Sequence, residues 1–289
     1  MAMHLEQWES LAAFLAHIAS SGTKKWSLNS SQKDKSWSGS ADLPTFLEQC
    51  RTLRRDDFAE RAGTIDQLAE TLAGDLPAGV TLRRTPTWGR SGASVNVHKV
   101  LRGDLSHAWR RTIRQARRDA TAGDLVIVLP SVVGAIIEHA QLEWSAIATL
   151  ALADYARRQG RRVELWSIGY FLTCYENGAT YVACVPLMRA GHSWDMSAVC
   201  LTTYPEWLRR LMFRAVEMTT PRQGEIEEGY GTQLPGHALL AWARATWAPT
   251  QHLAPDSLIL GCSQEDGVSD RASAERWVQA HLARLSAAA

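Results

Sequence analysis

The chain has 289 residues, a formal net charge of +1 and 46% hydrophobic residues, so it can bury a sizeable core. Its length suits one large α/β domain, and none of its apolar runs approaches the ~18 residues of a membrane span. The five cysteines form no Cys-x-x-Cys pair, and the first residues lack the basic region of a secretory signal. We therefore expect a single cytoplasmic α/β domain over residues 1–289.

The first 75 residues predict an N-terminal helical layer. Apolar residues at helical spacing predict a first helix: Leu5, Trp8, Leu11, Leu15 and Ile18. Pro44 in a first turn predicts the start of a second helix, and Thr64 with Gln67 forms a capping-box pattern ahead of a third. Between the first two helices, the polar segment 21–40 predicts a mobile loop.

Segment 21–40 is also basic and aromatic. It holds four of the five lysines, together with Trp26 and Trp37. Basic residues interleaved with aromatic ones are typical of a loop that binds single strands, so Lys24, Lys25 and Trp26 are candidate nucleic-acid-binding residues. A surface linker whose tryptophans anchor to the core has the same composition.

Buried strands and helices alternate from residue 125 onwards. Apolar runs predict strands at 125–129, 163–168, 180–187 and 258–260. Helical spacing predicts a long helix over 136–158, a helix from Pro205 with Arg209, Arg210 and Arg214 more exposed, a short helix over 238–247, and a last helix from Ser269 or Asp270. This order predicts an α/β fold with a central, mainly parallel sheet flanked by helices and an N-terminal helical layer.

The segment with the largest excess of basic over acidic residues is 83–118. This segment holds ten basic residues and one acid, Asp104, so its net charge is +9 and the rest of the chain sums to −8. Such a contrast indicates contact with a polyanion, although most charge runs are only solvated faces. Twenty-six of the 31 basic residues are arginine, which binds phosphate and stacks on bases; a GC-rich genome gives the same bias.

The end of this basic segment predicts a helix. At 100° per residue, Arg110, Arg111, Arg114, Arg117 and Arg118 share one face, whereas Leu105, Trp109, Ile113 and Ala116 share another. Before it, alternation predicts a strand over 80–84 and another over 94–97, joined through a glycine-flanked turn at 88–92. The candidate nucleic-acid-binding residues of the segment are Arg83, Arg84, Trp88, Arg90, Lys99, Arg102, Arg110, Arg111, Arg114, Arg117 and Arg118.

Residues 125–171 resemble the opening of a von Willebrand factor A domain. The shared pattern is a buried strand, a loop, a long helix and a second strand. That family binds a divalent metal through Asp-x-Ser-x-Ser after the first strand, where this chain has Leu129, Pro130, Ser131, Val132 and Val133. The aspartate and the last serine are missing, so the resemblance implies a metal-free protein-interaction domain or scaffold.

A second resemblance is to proteins of tailed phages. It rests on Trp37-Ser38-Gly39-Ser40, on residues 42–47, on residues 92–97 and on Gly103-Asp104 leading to Trp109. With the chain length, the pattern is similar to the single-stranded-DNA-binding RNA polymerase cofactors of lytic podoviruses. This resemblance implies a transcription cofactor in the bacterial host cytoplasm that binds unpaired promoter DNA and recruits a phage RNA polymerase.

Motifs of the common enzyme classes are missing from the sequence. There is no phosphate-binding Gly-x-x-x-x-Gly-Lys loop, no His-Glu-x-x-His metal motif and no Gly-x-Ser-x-Gly nucleophile turn. His192, Asp195 and Cys200 lie close together in the sequence, but a hydrogen-bonded polar loop explains them more simply than a catalytic set. We therefore expect a protein without catalytic residues, metal or cofactor, with single-stranded DNA as its ligand.

Overall fold

The computed structural model describes residues 3–20, 43–52, 58–73, 82–89, 94–95, 109–116, 125–131, 137–159, 161–172, 180–190, 199–219, 232–233, 236–251, 253 and 257–287. The predicted loop at 21–40 lies outside these residues. The strands are β1 (Met3–Gln7), β2 (Leu82–Gly89), β3 (Ser94–Val95), β4 (Trp109–Ala116), β5 (Leu125–Pro130), β6 (Val163–Leu172), β7 (Thr180–Met188), β8 (Thr232–Gln233) and β9 (Leu258–Leu260). They form two sheets.

The central sheet has six strands in the order β1-β7-β6-β5-β9, with β8 paired to β6. The pairs β1–β7, β5–β6 and β5–β9 are parallel, whereas β6–β7 and β6–β8 are antiparallel. This is the mainly parallel α/β sheet that the alternating apolar runs predict. The second sheet is smaller and has the order β2-β4-β3.

Helices cover both faces of the central sheet. The α-helices are α1 (Leu11–Ala19), α2 (Leu43–Thr52), α3 (Phe58–Ala73), α4 (His139–Arg158), α5 (Met212–Thr219), α6 (Gly236–Trp242), α7 (Ala248–Thr250) and α8 (Arg271–Ala287). Two π-helical segments, Trp207–Leu211 and Ala243–Trp247, lead into α5 and α7, and short 3₁₀ turns lie at Leu201–Thr203 and Gln264–Asp266. None of the described helices is both long and apolar enough to cross a membrane.

Alternate residues of the buried strands supply two cores. Leu125, Ile127 and Leu129 of β5 pack with apolar residues of α1, α2, α3, α4, α5 and α8. Val126 and Val128, one residue out of phase, join a smaller core under α6 and the following π-helix. A strand buried on both faces must be apolar throughout, which explains the continuous run that the sequence shows.

Arg158 links helix α4 to α3 and also contacts a buried carboxylate of α4. Asp154 is fully buried and accepts hydrogen bonds from Arg157 Nη2 at 2.7 Å and from Arg158 Nε at 2.6 Å. Arg158 also contacts Asp66 on α3. Two guanidinium groups thus compensate the buried charge of Asp154, and one of them links the N-terminal helical layer to the helix that covers the sheet.

Three local predictions are wrong. Leu5 lies in a strand because β1 pairs with β7, so the first helix begins only at Leu11. Thr64 is inside α3, where its hydroxyl donates to the Glu60 carbonyl at 2.9 Å, and it therefore caps no helix. Arg210 and Arg214 are 8% and 5% exposed, because the π-helical turn at Trp207–Leu211 changes the residue spacing of the face that points to solvent.

Candidate nucleic-acid interface

Residues 109–116 form a strand, so the predicted arginine helix is wrong. Strand β4 pairs antiparallel with β2 along its whole length and with β3 at its start. The sequence Trp-Arg-Arg-Thr-Ile-Arg-Gln-Ala fits helical spacing, and only the β-branched Thr112 and Ile113 favour a strand. Pairing with β2 decides between helix and strand, because it provides partners for the backbone of β4 that the local sequence does not reveal.

The pairing register distributes the arginines over two faces of the small sheet. Arg84 is directly opposite Arg114, Trp88 is directly opposite Arg110, and these residues lie at even-numbered steps along their strands. Since successive residues of a strand alternate between faces, all four lie on one face. We call this the arginine face; it comprises Leu82, Arg84, Pro86, Trp88, Ser94, Arg110, Thr112, Arg114 and Ala116.

The other face of the small sheet has a different composition. It holds Arg83, Thr85, Thr87, Gly89, Val95, Trp109, Arg111, Ile113 and Gln115. Its two arginines, Arg83 and Arg111, are separated along the sheet, since Arg83 is opposite Gln115 and Arg111 is opposite Thr87. The helix prediction grouped Arg111 with Arg110 and Arg114; the strand assigns it to the opposite face.

The three strands carry five arginines and no acidic residue. Two arginines directly opposite each other in an antiparallel pair repel, which weakens the sheet unless an anion binds between them. The pair Arg84–Arg114 has this arrangement, and the pair Trp88–Arg110 adds an aromatic residue four residues away on each strand. By residue type, the arginine face combines three arginines with one tryptophan, and arginine and tryptophan are the residues that proteins use to contact phosphates and to stack on bases.

The structure describes six of the fourteen candidate residues, namely Arg83, Arg84, Trp88, Arg110, Arg111 and Arg114, and it brings all six into this one sheet. Lys24, Lys25, Trp26, Arg90, Lys99, Arg102, Arg117 and Arg118 lie outside the described residues. Cα atoms of β4 also approach α4, so the small sheet adjoins the long helix that packs on the central sheet.

The carboxyl end of β5 is the place where a von Willebrand A domain holds its metal. Here Ser131 is fully buried and its hydroxyl donates to the Leu129 carbonyl at 3.0 Å. Ser131 also shares a hydrogen bond with Ser167, which accepts from Trp207 Nε1 at 2.8 Å. The serine hydroxyls therefore form a buried chain from Trp207 to the backbone of β5, which commits them to internal contacts.

A small depression lies beside this chain of hydroxyls. Its lining is mostly apolar and includes Leu129, Leu142 and Cys262. Burial raises the pKa of the Cys262 thiol far above its usual range, so this thiol is neutral. At the rim, the Gly236 amide donates to both carboxylate oxygens of Glu265, at 3.0 and 2.9 Å. The described lining thus holds no reactive nucleophile.

Nor does the described part of the chain bring together three or more His, Cys, Asp or Glu side chains that could hold a metal ion. Cys200, considered with His192 and Asp195 as a catalytic set, is fully buried next to a 3₁₀ turn, whereas the other two lie outside the described residues.

A family profile described as a domain of unknown function, DUF7192, matches residues 2–285. The chain belongs to this family. No curated protein and no solved structure matches it. The DUF7192 match spans both the central sheet and the small arginine-bearing sheet.

Two structural features of this DUF7192 chain were not predicted from the sequence. One is the opposition of Arg84 and Arg114, for which the sequence of residues 109–116 offered only the β-branched pair Thr112 and Ile113 as a sign of a strand. The other is the hydroxyl chain of Ser131, Ser167 and Trp207, residues that are far apart in the sequence and meet only because β5 pairs with β6. No local pattern indicates it.

Proposed function

We propose that this chain is a non-enzymatic protein that binds single-stranded DNA on the arginine face of the β2–β4–β3 sheet. The observation that carries the proposal is the register, in which Arg84 is opposite Arg114 and Trp88 is opposite Arg110 on the same face. A phosphate between two guanidinium groups relieves their repulsion, and an unpaired base can stack on the indole of Trp88, four residues further along β2.

A sheet face that carries an aromatic residue among arginines suits unpaired nucleic acid better than duplex. Stacking requires the face of a base, which a duplex conceals, and sheet surfaces bearing aromatic residues bind single strands in several nucleic-acid-binding folds. Guanidinium groups that contact phosphates position the strand without distinguishing its bases, so sequence preference is slight. Arg83 and Arg111, on the opposite face, add to the surrounding positive field without touching the same strand.

The resemblance to podovirus RNA polymerase cofactors extends the proposal to transcription. In that role the protein holds the unpaired strand of a promoter and recruits a phage RNA polymerase in the host cytoplasm. The resemblance supports this extension, and the arginine face agrees with it. Binding of DNA is the part of the proposal that rests on described residues.

A metal-free von Willebrand A-like scaffold is the second candidate. The favouring observation is the unit β5–α4–β6, in which parallel strands flank a long helix and Ser131 follows the first strand. In this case the arginine face would contact an acidic protein.

A mobility-shift assay separates the two candidates. The purified full-length protein is mixed with a random-sequence single-stranded oligonucleotide at low salt, with a duplex of equal length as competitor. The proposal requires a shift at micromolar protein that the duplex reverses poorly. Absence of a shift favours the scaffold, and equal competition by the duplex contradicts the stacking component.

A further inference from the structure

Strand β1 forms one edge of the central sheet. It pairs with β7 on one side, and among the described strands none pairs with its other side. Leu5, in the middle of β1, is 40% exposed and is the one large hydrophobic residue in the described part of the chain that is classed as exposed. An open edge with an exposed apolar residue is a surface on which another strand can add.

The direction of the backbone groups of β1 follows from one hydrogen bond. The Trp8 amide donates to the Cys184 carbonyl of β7 at 3.2 Å. Because backbone polar groups alternate sides along a strand, those of His4 and Glu6 point to β7, and those of Met3, Leu5 and Gln7 point to the open edge. Three residues of β1 therefore turn their backbone donors and acceptors to the side on which no described strand pairs.

The sequence Met3-His4-Leu5-Glu6-Gln7 is complementary to itself in the antiparallel direction. With Leu5 opposite Leu5 of a second copy, Met3 is opposite Gln7 and His4 is opposite Glu6. The outward-facing residues then form the hydrogen-bonded pairs, and His4 with Glu6 forms the closer, non-hydrogen-bonded pairs. An acid opposite a histidine is a favourable cross-strand pair, and it occurs twice in this arrangement.

The same arrangement continues an apolar row of the central sheet. Leu5 is in register with Val182 of β7, which is in register with Tyr170 of β6. Val182 is buried, whereas Leu5 at the end of the row is exposed. A Leu5–Leu5 pair across a two-fold axis would cover this end and join two rows into one.

We propose that two copies of this chain associate through their β1 strands, antiparallel and two-fold symmetric, so that their central sheets join into one. The occupant is a second copy because the complementarity of β1 is to its own sequence, which is the property of a two-fold interface. The contact is short, so the dimer is weak and depends on concentration. This proposal is independent of the DNA-binding proposal, since β1 belongs to a different sheet from the arginine face.

Sedimentation velocity over about a hundredfold range of protein concentration tests the proposal. The wild-type chain should shift from monomer to dimer within that range. Leu5→Lys places two positive charges opposite each other at the axis and should raise the dissociation constant by about tenfold or more. A wild-type chain that stays monomeric throughout overturns the proposal, as does a Leu5→Lys variant that dimerises like wild type.

Exchanging the charges of His4 and Glu6 distinguishes a loss of the dimer contact from damage to the fold. H4E and E6K alone each remove the favourable cross-strand pair and should weaken the dimer, whereas the double variant H4E/E6K exchanges the charges and should restore it. A substitution that merely damaged the fold would be made worse by the second one. Failure of the double variant to recover dimerisation, in a protein that melts like wild type, overturns the assigned register.

Discussion

Arg84 lies directly opposite Arg114 in the antiparallel pair of β2 and β4. Like charges in this position repel at close range, and no acidic residue occurs in the three strands of the small sheet to compensate them. Four residues away on each strand, the same face carries Trp88 opposite Arg110. The arrangement is suited to a ligand that brings its own negative charge and an aromatic surface, which describes a single strand of nucleic acid.

Salt should weaken binding of oligo(dT) steeply. Each phosphate neutralised on a single strand contributes about −0.7 to the slope of log affinity against log salt concentration, so three arginines on one face predict a slope of about −2. Fluorescence anisotropy of a labelled oligo(dT) over a several-fold range of salt concentration measures this slope. An affinity independent of salt would remove the electrostatic basis of the proposal.

Trp88→Ala should weaken oligo(dT) binding and reduce the quenching of intrinsic tryptophan fluorescence. Stacking on one base is worth about 1–3 kcal/mol, and Trp88 shares the arginine face with Arg110. Trp109→Ala is the matched control, because Trp109 is in the same sheet but on the other face. Titration of both variants should show the larger loss for Trp88→Ala; the reverse order would assign the DNA site to the opposite face.

Ser167→Ala should lower the stability of the fold. Ser167 accepts from Trp207 Nε1 at 2.8 Å inside the core, and its loss leaves a buried donor without this acceptor, at a cost of about 1–3 kcal/mol. Urea denaturation measures the change in the free energy of unfolding. Ser145→Ala is the control, because Ser145 is only part-buried and donates a longer bond, 3.3 Å, to Val268. A Ser167→Ala variant as stable as wild type would refute the structural role of the hydroxyl chain.

The cap of α8 should make part of the stability depend on pH. Hydrogen bonds from the Ser273 amide and hydroxyl to Asp270, the amide at 2.7 Å, hold the pKa of this carboxyl below its usual range. A lowered folded-state pKa stabilises the fold above the unfolded-state pKa, and this contribution is lost as pH falls through the folded-state value. The difference in unfolding free energy between wild type and Asp270→Ala should therefore shrink in acid. A difference that stays constant with pH would show that the charge of Asp270 is not involved.

Local patterns predicted the inner strands of the central sheet well because these strands are buried on both faces. The continuous apolar run of β5 fits only a buried strand, and the apolar residues of α4 recur at helical spacing over many turns. Both elements appear where the sequence predicts them. The elements that were predicted wrongly depend on partners far along the chain. Leu5 has helical spacing with Leu11 but pairs with Val182, and Arg114 has helical spacing with Arg110 but pairs with Arg84.

The composition of the candidate site was therefore easier to predict than its geometry. Ten basic residues in one segment indicate a polyanion partner, and this inference does not depend on the secondary structure of the segment. Which of them act together depends on the secondary structure, since helical spacing groups Arg111 with Arg110 and strand alternation separates them. The distinction has an experimental consequence, because the two groupings predict different effects for the same substitutions.

The most direct test of the account compares two double variants of the same small sheet. R84A/R114A removes two arginines from the arginine face, and R83A/R111A removes two from the opposite face. Both variants take one arginine from β2 and one from β4, so they change the net charge equally. Circular dichroism melts should show R84A/R114A at least as stable as wild type, because the variant removes a repulsive pair.

The decisive quantity is the dissociation constant for oligo(dT), measured for both variants at the same salt concentration. We predict a loss of about tenfold or more for R84A/R114A and a clearly smaller loss for R83A/R111A. Equal losses in the two variants would mean that only the overall charge matters. Unchanged binding by a folded R84A/R114A variant would contradict the assignment of the arginine face as the DNA-binding surface.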